Sequence, residues 1–168
     1  WYDFYIFGSL SAIISVSFFP KEDPTAAFIS TLAAFGAGFV ARPFGGVLFG
    51  RLGDLIGRKY TFLLTLLLMG GSTFAIAFIP SYEKIGLVAP ALLLALRIIQ
   101  GLALGGEYGG AATYVAEYAP DAHRGKYTAY IQTTATLGFF VSIIVVLVCQ
   151  KIIGDAEFKE WGWRIPFA

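Results

Sequence analysis

The sequence has 168 residues, of which 57% are hydrophobic and 14% are charged. Soluble globular domains carry about 25% charged residues, so this composition, with a mean hydropathy of +0.72, excludes an ordinary soluble domain and indicates an integral membrane protein. The formal net charge is +1 and no basic patch is interleaved with aromatic residues, which excludes a nucleic-acid partner.

Five apolar segments follow one another along the chain, and a sixth begins near its end. They cover about residues 1–19, 25–49, 60–79, 87–114 and 127–153, with the start of the sixth at 162. Segments of about 20 to 25 residues can cross a bilayer as α-helices, so the sequence predicts an all-α membrane protein. The chain opens at Trp1 inside an apolar segment and stops at Ala168 as another begins, which indicates a fragment.

A charged run from Gly50 to Lys59 separates the second and third segments. We interpret it as a hairpin at the membrane surface, because its three glycines permit the positive φ angles of a tight reversal. Arg51 and Arg58 help to hold such a short loop in the cytoplasm. The third segment has no charged side chain and is predicted to face lipid on most sides.

The basic residues favour one orientation of the chain. The predicted cytoplasmic loops contain Arg51, Arg58, Lys59, Arg124 and Lys126. The predicted outer loops contain Lys21, Lys84, Lys151 and Lys159, diluted by acidic residues. The bias is modest, and by the positive-inside rule it predicts a cytoplasmic N-terminus.

Four charged side chains fall inside the predicted spans: Asp3, Arg42, Arg97 and Glu107. Such groups are costly in a membrane unless they are paired or hydrated, so each is a candidate functional residue. Arg42 is either a structural partner of an acid or extends to the cytoplasmic interface, whereas Arg97 is the better candidate for binding an anion. Asp3 and Glu107 either carry protons or form permanent, purely structural pairs.

Residue counting places three of these charges at one depth. Asp3, Arg42 and Glu107 each lie about 17 residues, or about 25 Å, from the outer end of their helices. We therefore predict a cluster in which Arg42 is shared between Asp3 and Glu107. Arg97 is expected about 15 Å nearer the outside.

The fourth and fifth segments also carry regular patterns of small or polar residues. Glycines recur at intervals of four in the fourth segment, at Gly101, Gly105 and Gly109, with Gly106 and Gly110 alongside. This spacing predicts close helix packing. The fifth segment has a polar stripe at Thr128, Gln132 and Thr136. The stripe either bonds to neighbouring helices or lines a wet cavity.

We predict no cofactor, metal site or enzymatic activity from the sequence. Cys149 is the single cysteine, in an apolar run, and His123 is the single histidine, in a predicted surface loop. A nucleophile with its base, a metal cluster and a phosphate-binding loop are all missing.

Four stretches resemble motifs of the major facilitator superfamily of secondary transporters. Gly50 to Lys59 matches G-x-x-x-D-x-x-G-R-[KR], Trp1 to Phe4 matches W-[FY]-D-F, Arg97 to Tyr108 matches R-x-x-Q-G-x-x-x-G-G-E-[FY], and Trp161 to Phe167 resembles the opening of the sixth helix. Together they make the chain similar to the N-terminal five helices, and a little more, of a metabolite:proton symporter. That group includes transporters of proline and betaine, citrate, 2-oxoglutarate and shikimate.

The resemblance implies a twelve-helix fold whose C-terminal half is absent here, in a multi-pass protein of the plasma membrane, as in a bacterial inner membrane. It implies proton-coupled symport of a small organic acid or zwitterionic metabolite by alternating access. The implied partners are the substrate, protons, the lipid bilayer and the missing half. An uncoupled facilitator or channel and a membrane-embedded sensor are the alternatives.

These considerations assign candidate residues to two sites. The expected substrate and coupling residues are Asp3, Arg42, Arg97, Gln100, Glu107 and Gln132. The expected conformational gate comprises Gly50, Arg51, Asp54, Gly57, Arg58 and Lys59.

Overall fold

The structure is a computed structural model that describes residues 1–20 and 22–168. Its α-helices are α1 (Tyr2–Ser9), α2 (Ser11–Phe18), α3 (Pro24–Ile56), α4 (Arg58–Phe78), α5 (Tyr82–Ile85), α6 (Val88–Tyr118), α7 (Arg124–Ile153) and α8 (Asp155–Glu160). Two 3₁₀ helices cover Asp121–His123 and Gly162–Phe167. Lys21, one of the basic residues of the predicted outer loops, lies outside the described residues.

Four helices in the described part of the chain are long and apolar enough to cross a membrane: Pro24–Ile56, Arg58–Phe78, Val88–Tyr118 and Asp121–Ile153, the last including the 3₁₀ turn. Each overlaps one of the predicted second to fifth segments. The helices continue beyond the apolar segments at several ends, most clearly where α3 runs on to Ile56. A helix does not have to stop where hydropathy falls, because its backbone hydrogen bonds form equally well outside lipid.

The predicted first span is divided into α1 and α2, which meet at Leu10. The Leu10 N–H donates to the Ile6 carbonyl at 3.0 Å, and the Leu10 carbonyl accepts from the Ile14 N–H at 2.9 Å. The hydrogen-bond ladder therefore continues across the junction. A Gly8-Ser9 pair lies just before it, and Gly/Ser pairs are a common cause of helix kinks.

The prediction that three glycines turn the hairpin between α3 and α4 is wrong for two of them. Gly50 and Gly53 are helical residues of α3. Gly57 alone reverses the chain, with φ of 99°, a value that favours glycine because it has no Cβ. One such residue suffices because α3 ends at Ile56 and α4 begins at Arg58, with no further loop between them.

Helices α3 and α6 lie side by side and run in the same direction, with glycine backbones in contact. A Cβ added to Gly45 would lie 2.0 Å from the Leu102 carbonyl oxygen, and one added to Gly101 would lie 2.1 Å from that of Gly38. Gly105 opposes Arg42 in the same way, at 2.0 Å. The glycine spacing of the fourth segment thus corresponds to close packing over this part of α6.

The opposite end of the bundle from the hairpin is closed by the last 3₁₀ helix. Trp163 is fully buried, with its ring edge against Phe18 at a centroid distance of 5.5 Å. Arg164 Nη1 donates to the carbonyls of Ala77 and Ile79, at 2.6 and 2.7 Å. These carbonyls lie at the C-terminal end of α4, where helix carbonyls lack intrahelical partners, so Arg164 caps α4.

The outermost long helix is α7 rather than α4. Within its most apolar stretch 6% of residues are buried, compared with 39% for α4. The third segment was expected to face lipid on most sides, but α4 buries one face that includes Thr65, Met69 and Thr73. Its many leucines account for the apolar composition and lie largely on the exposed side, for example Leu63 and Leu67.

Candidate functional site

Arg97 lies in the interior of the bundle, on α6, and is 3% exposed. The centre of its guanidinium lies 3.4 Å from the centroid of the Phe7 ring of α1. Its Nε and Nη2 atoms are buried and have no hydrogen-bond partner. The cationic side chain is thus enclosed by protein, with donor groups free to bind an acceptor.

Arg42, on α3, is half-buried and contacts two aromatic rings. Its guanidinium centre lies 4.5 Å from the Phe4 ring centroid and 4.1 Å from that of Phe39. Its Nε and Nη2 atoms also lack a partner. We expected Arg42 to be shared between two carboxylates, but among the described residues it forms no ion pair.

The direction of the Arg42 side chain explains this difference. Side chains on an α-helix tilt toward its N-terminus, so Arg42 extends from its own level on α3 toward that of Arg97. The two arginines line one small cavity, together with Gln100. The predicted offset of about 15 Å in backbone depth therefore does not prevent the two residues from lining the same cavity.

Asp3 and Glu107 are both partly buried. In the described part of the chain, neither forms a hydrogen bond or an ion pair. Both carboxylates are thus unpaired within the described residues, whereas Arg42 and Arg97 line one cavity.

Gln100 is 3% exposed and its Nε2 donates to Thr73 Oγ1 of α4 at 2.7 Å. Thr73 was not among the residues predicted from the sequence. A usable signal was present, since the serine and threonine residues of the third segment, Thr61, Thr65, Ser72 and Thr73, are all buried. Polar side chains in a spanning helix generally mark contacts with neighbouring helices.

Gln132 does not join this group. It is exposed on α7, and none of the hydrogen bonds or cavities of the described residues connects it to the arginines. The polar stripe of the fifth segment forms no bond to another helix within the described part of the chain; the Thr128 hydroxyl, for instance, bonds to the carbonyls of Arg124 and Gly125 in its own helix.

A separate cleft of about 260 Å³ opens beside the hairpin, between α3, α4 and α6. Asp54 and Arg58 line it, and so do the glycines Gly46, Gly50, Gly53, Gly105, Gly106, Gly109 and Gly110. Gly109 and Gly110 have open space where a Cβ would lie, so they widen the cleft instead of packing against a helix. Arg58 forms an ion pair with Glu117 near the end of α6.

Of the remaining gate candidates, Arg51, Gly57 and Lys59 are not part of the cleft lining. Arg51, Asp54 and Lys59 are exposed, and none of them forms an ion pair within the described residues. Gly57 supplies the chain reversal. The structure thus brings Asp54 and Arg58 to one cleft and leaves Arg51 and Lys59 on the surface.

The model of the sugar (and other) transporter family matches residues 1–168. The chain belongs to this family. It is 43% identical over 167 residues to the proline/betaine transporter of Escherichia coli K12, covering 99% of this chain and 33% of that protein. It is 45% identical over 168 residues to the alpha-ketoglutarate permease of the same strain, covering 100% of this chain and 39% of that protein. For the shikimate transporter of that strain the identity is 42% over 168 residues, covering 99% and 38%.

Solved structures of the E. coli xylose transporter XylE share the fold. The inward open conformation has a TM-score of 0.78 at 22% identity, covering 99% of this chain and 40% of that one. A second XylE structure contains bound 6-bromo-6-deoxy-D-glucose and is described as a major facilitator superfamily proton:xylose symporter. Its TM-score is 0.79 at 22% identity, and the match covers 99% of this chain and 39% of the XylE chain. The predicted all-α membrane fold of this superfamily is confirmed.

The chain spans about a third to two fifths of the length of the curated relatives it matches. Those relatives are transporters, so the prediction of a transporter family rather than an enzyme family is also confirmed. The protein is a multi-pass membrane protein with the major facilitator fold, of which the chain supplies part.

Proposed function

We propose that this chain forms the first half of a secondary active transporter that carries a small organic acid or zwitterionic metabolite together with protons. The observation that carries the proposal is Arg97, which is buried in the bundle with guanidinium donors that have no partner among the described residues. A cation buried without a matching ion pair attracts an anionic group, either a substrate carboxylate or a carboxylate of the protein. The names of the relatives, which transport proline and betaine, alpha-ketoglutarate or shikimate, support a carboxylate or zwitterion.

Proton coupling requires acids whose charge changes during the cycle. Asp3 and Glu107 are the candidates, because both are partly buried without a permanent partner among the described residues. A proton bound to either acid would reduce its attraction for the arginines, and release would restore it. Arg97 and Arg42 would then alternate between a protein carboxylate and the substrate.

Alternating access also requires a closure between the two halves of the transporter. We assign this role to the cleft at the hairpin, where Asp54 and Arg58 line a surface that remains open in this half. The second half of the chain would dock there in one conformation. This assignment places the hairpin end in the cytoplasm of a bacterium, with a cytoplasmic N-terminus, as the distribution of basic residues predicts.

The decisive experiment measures proton movement with substrate uptake in proteoliposomes containing the full-length transporter. Substrates would first be found by screening small carboxylates and zwitterions. Asp3→Asn and Glu107→Gln should each retain substrate exchange while losing proton-driven accumulation. Glu157→Gln, which removes an exposed acid from α8, is the matched control and should behave like wild type.

Two results would contradict the proposal in different ways. Uptake without any proton movement in the wild type would make the protein an uncoupled facilitator. Normal accumulation in both acid variants would keep symport and remove these two acids from the coupling mechanism.

A further inference from the structure

A small cavity lies where α1, α3, α4 and α6 meet. Its volume is about 10 Å³, and Phe4, Gly38, Arg42, Met69, Arg97 and Gln100 contribute to its lining. This volume is the space in which the centre of a water-sized sphere can lie. A cavity with about 10–15 Å³ of such space holds one water molecule, provided that two to four polar partners surround it. The cavity therefore has the size of a single water site.

The orientation of the Gln100 amide is fixed by its neighbour. Thr73 Oγ1 lies 2.9 Å from the Met69 carbonyl oxygen and donates its one hydroxyl hydrogen there. Thr73 can then only accept from Gln100, so Nε2 must be the amide atom that faces it, at 2.7 Å. The Gln100 Oε1 atom is consequently the other arm of the amide, and it is buried without a donor.

The two arginines have the opposite need, for hydrogen-bond acceptors. Nε and Nη2 of Arg42 and of Arg97 are buried donors without acceptors. Stacking on the Phe7 ring engages the face of the Arg97 guanidinium, but N–H groups point outward in the plane of that group and are not satisfied by stacking. The residues that line one cavity thus carry orphan donors on two helices and an orphan acceptor on one.

We propose that a bound water molecule occupies this cavity, accepting hydrogen bonds from Arg97 and Arg42 and donating one to Gln100 Oε1. A small anion could accept from both arginines, but it would be repelled by the Gln100 oxygen, which the bond to Thr73 holds in place. Water matches both kinds of partner. The site joins α3 and α6 to α4 through Gln100 and Thr73.

Gln100 and Thr73 are then positioning residues for Arg97 and Arg42. This role rests on the proposed function, because it matters for transport only if the arginines belong to the coupling site. The water site itself does not depend on transport. It can be tested by a measurement that needs no substrate.

The test uses X-ray radiolysis of the full-length transporter in detergent, in which hydroxyl radicals formed from bound water oxidise adjacent side chains. Met69 is a suitable reporter, because it lines the cavity, is 5% exposed and is the single methionine of this chain. Its conversion to the sulfoxide is read by mass spectrometry. We expect rapid oxidation of Met69 in the wild type despite its burial.

Gln100→Leu removes the acceptor and should slow Met69 oxidation about fivefold or more, since a water held only by arginine donors has no acceptor for its own hydrogens. Thr73→Val removes the hydroxyl that orients the Gln100 amide. We expect Met69 oxidation to slow about twofold in this variant, because the Gln100 oxygen is then no longer held toward the water. Thr73→Ser keeps the hydroxyl and should match the wild type. Thr65→Val is the control, because Thr65 is 1% exposed on the same helix but its hydroxyl bonds to the Phe62 carbonyl of α4 itself.

Equal Met69 oxidation in the wild type and in Gln100→Leu would overturn the proposal, since external water would then be the source. The proposal would also be overturned if Met69 of the wild type became oxidised only after chloride was removed from the buffer. That result would show that an anion, not water, occupies the cavity. Neither outcome bears on proton coupling, so a failure here is distinct from a failure of the proposed function. Thermal unfolding of each variant confirms that a fall in oxidation does not reflect a misfolded protein.

Discussion

The interior arginines contact aromatic faces, and among the described residues neither of them forms an ion pair with a carboxylate. Arg97 stacks on Phe7 at 3.4 Å, a contact that contributes about 2 kcal/mol or more when desolvated. Removing a cation from water costs several kcal/mol in proteins. Stacking alone therefore does not offset burial, and the remaining deficit makes Arg97 a strong attractor for an anionic group that enters the bundle.

This balance predicts unequal effects of two substitutions at position 97. Arg97→Lys keeps the charge but loses the planar face over Phe7 and the paired donors of the guanidinium. We expect substrate affinity to fall about tenfold in Arg97→Lys, because one charge-assisted hydrogen bond is worth about 1.5–3 kcal/mol, and further in Arg97→Gln. Calorimetric titration of the full-length transporter measures both.

The matched control for Arg97 is Arg164→Lys. Arg164 donates to the Ala77 and Ile79 carbonyls, so its loss should lower thermal stability without altering affinity. Unchanged affinity and coupling in both Arg97 variants would remove Arg97 from the mechanism.

At the scale of elements, the contact between α3 and α6 depends on backbone proximity. The glycine spacing of α6 was visible in the sequence, but the partner helix was not, because a stripe on one helix does not specify what packs against it. Gly38 and Gly45 of α3 supply the opposing surface. The division of the first span at Leu10 and the helical state of Gly50 were also missed, since glycine is compatible with both turns and helices.

This packing predicts a contrast between two alanine substitutions on α3. Gly45→Ala would place a Cβ 2.0 Å from the Leu102 carbonyl oxygen, so the helices must separate, and we expect a loss of about 1–3 kcal/mol in the free energy of unfolding. A Cβ added to Gly36 would have no atom within 4 Å, so Gly36→Ala should stabilise by up to about 1 kcal/mol through helix propensity. Thermal unfolding followed by tryptophan fluorescence compares them. Equal stability of the two variants would argue against the close α3–α6 contact.

At the scale of the whole molecule, each of the predicted second to fifth segments overlaps a long helix of the described residues, but hydropathy predicted neither the full helix lengths nor the division of the first segment into α1 and α2. Apolar composition indicates which residues suit lipid. Helix α3 nevertheless continues past the apolar segment and includes the charged residues Arg51 and Asp54. The positions of the charged side chains were harder to predict. Residue counting gives the depth of a Cα atom, but Arg42 is long enough for its guanidinium to reach the level of another helix turn.

The hairpin cleft leads to the last prediction, which concerns the movement of one half against the other. Asp54 is exposed at the cleft, where Arg58 already pairs with Glu117. We therefore assign Asp54 to contacts with the second half, whereas Arg58 is engaged by Glu117 within this half. Asp54→Asn should reduce the transport rate at least about tenfold, as expected for loss of one charge-assisted contact of about 1.5–3 kcal/mol, while substrate affinity stays close to that of the wild type.

The control for Asp54→Asn must remove an acid from the same end of the bundle without touching the cleft. Asp121→Asn does so, because Asp121 is exposed and pairs only locally with Arg124 at 2.6 Å, and such surface pairs contribute little. It should transport normally. Uptake rates and equilibrium binding of the full-length variants, measured with the same substrate, distinguish a change in transport rate from a change in substrate affinity. If Asp54→Asn weakened binding as much as it slowed uptake, with the transporter held in either orientation, Asp54 would contribute to substrate binding and the gate would have to lie elsewhere.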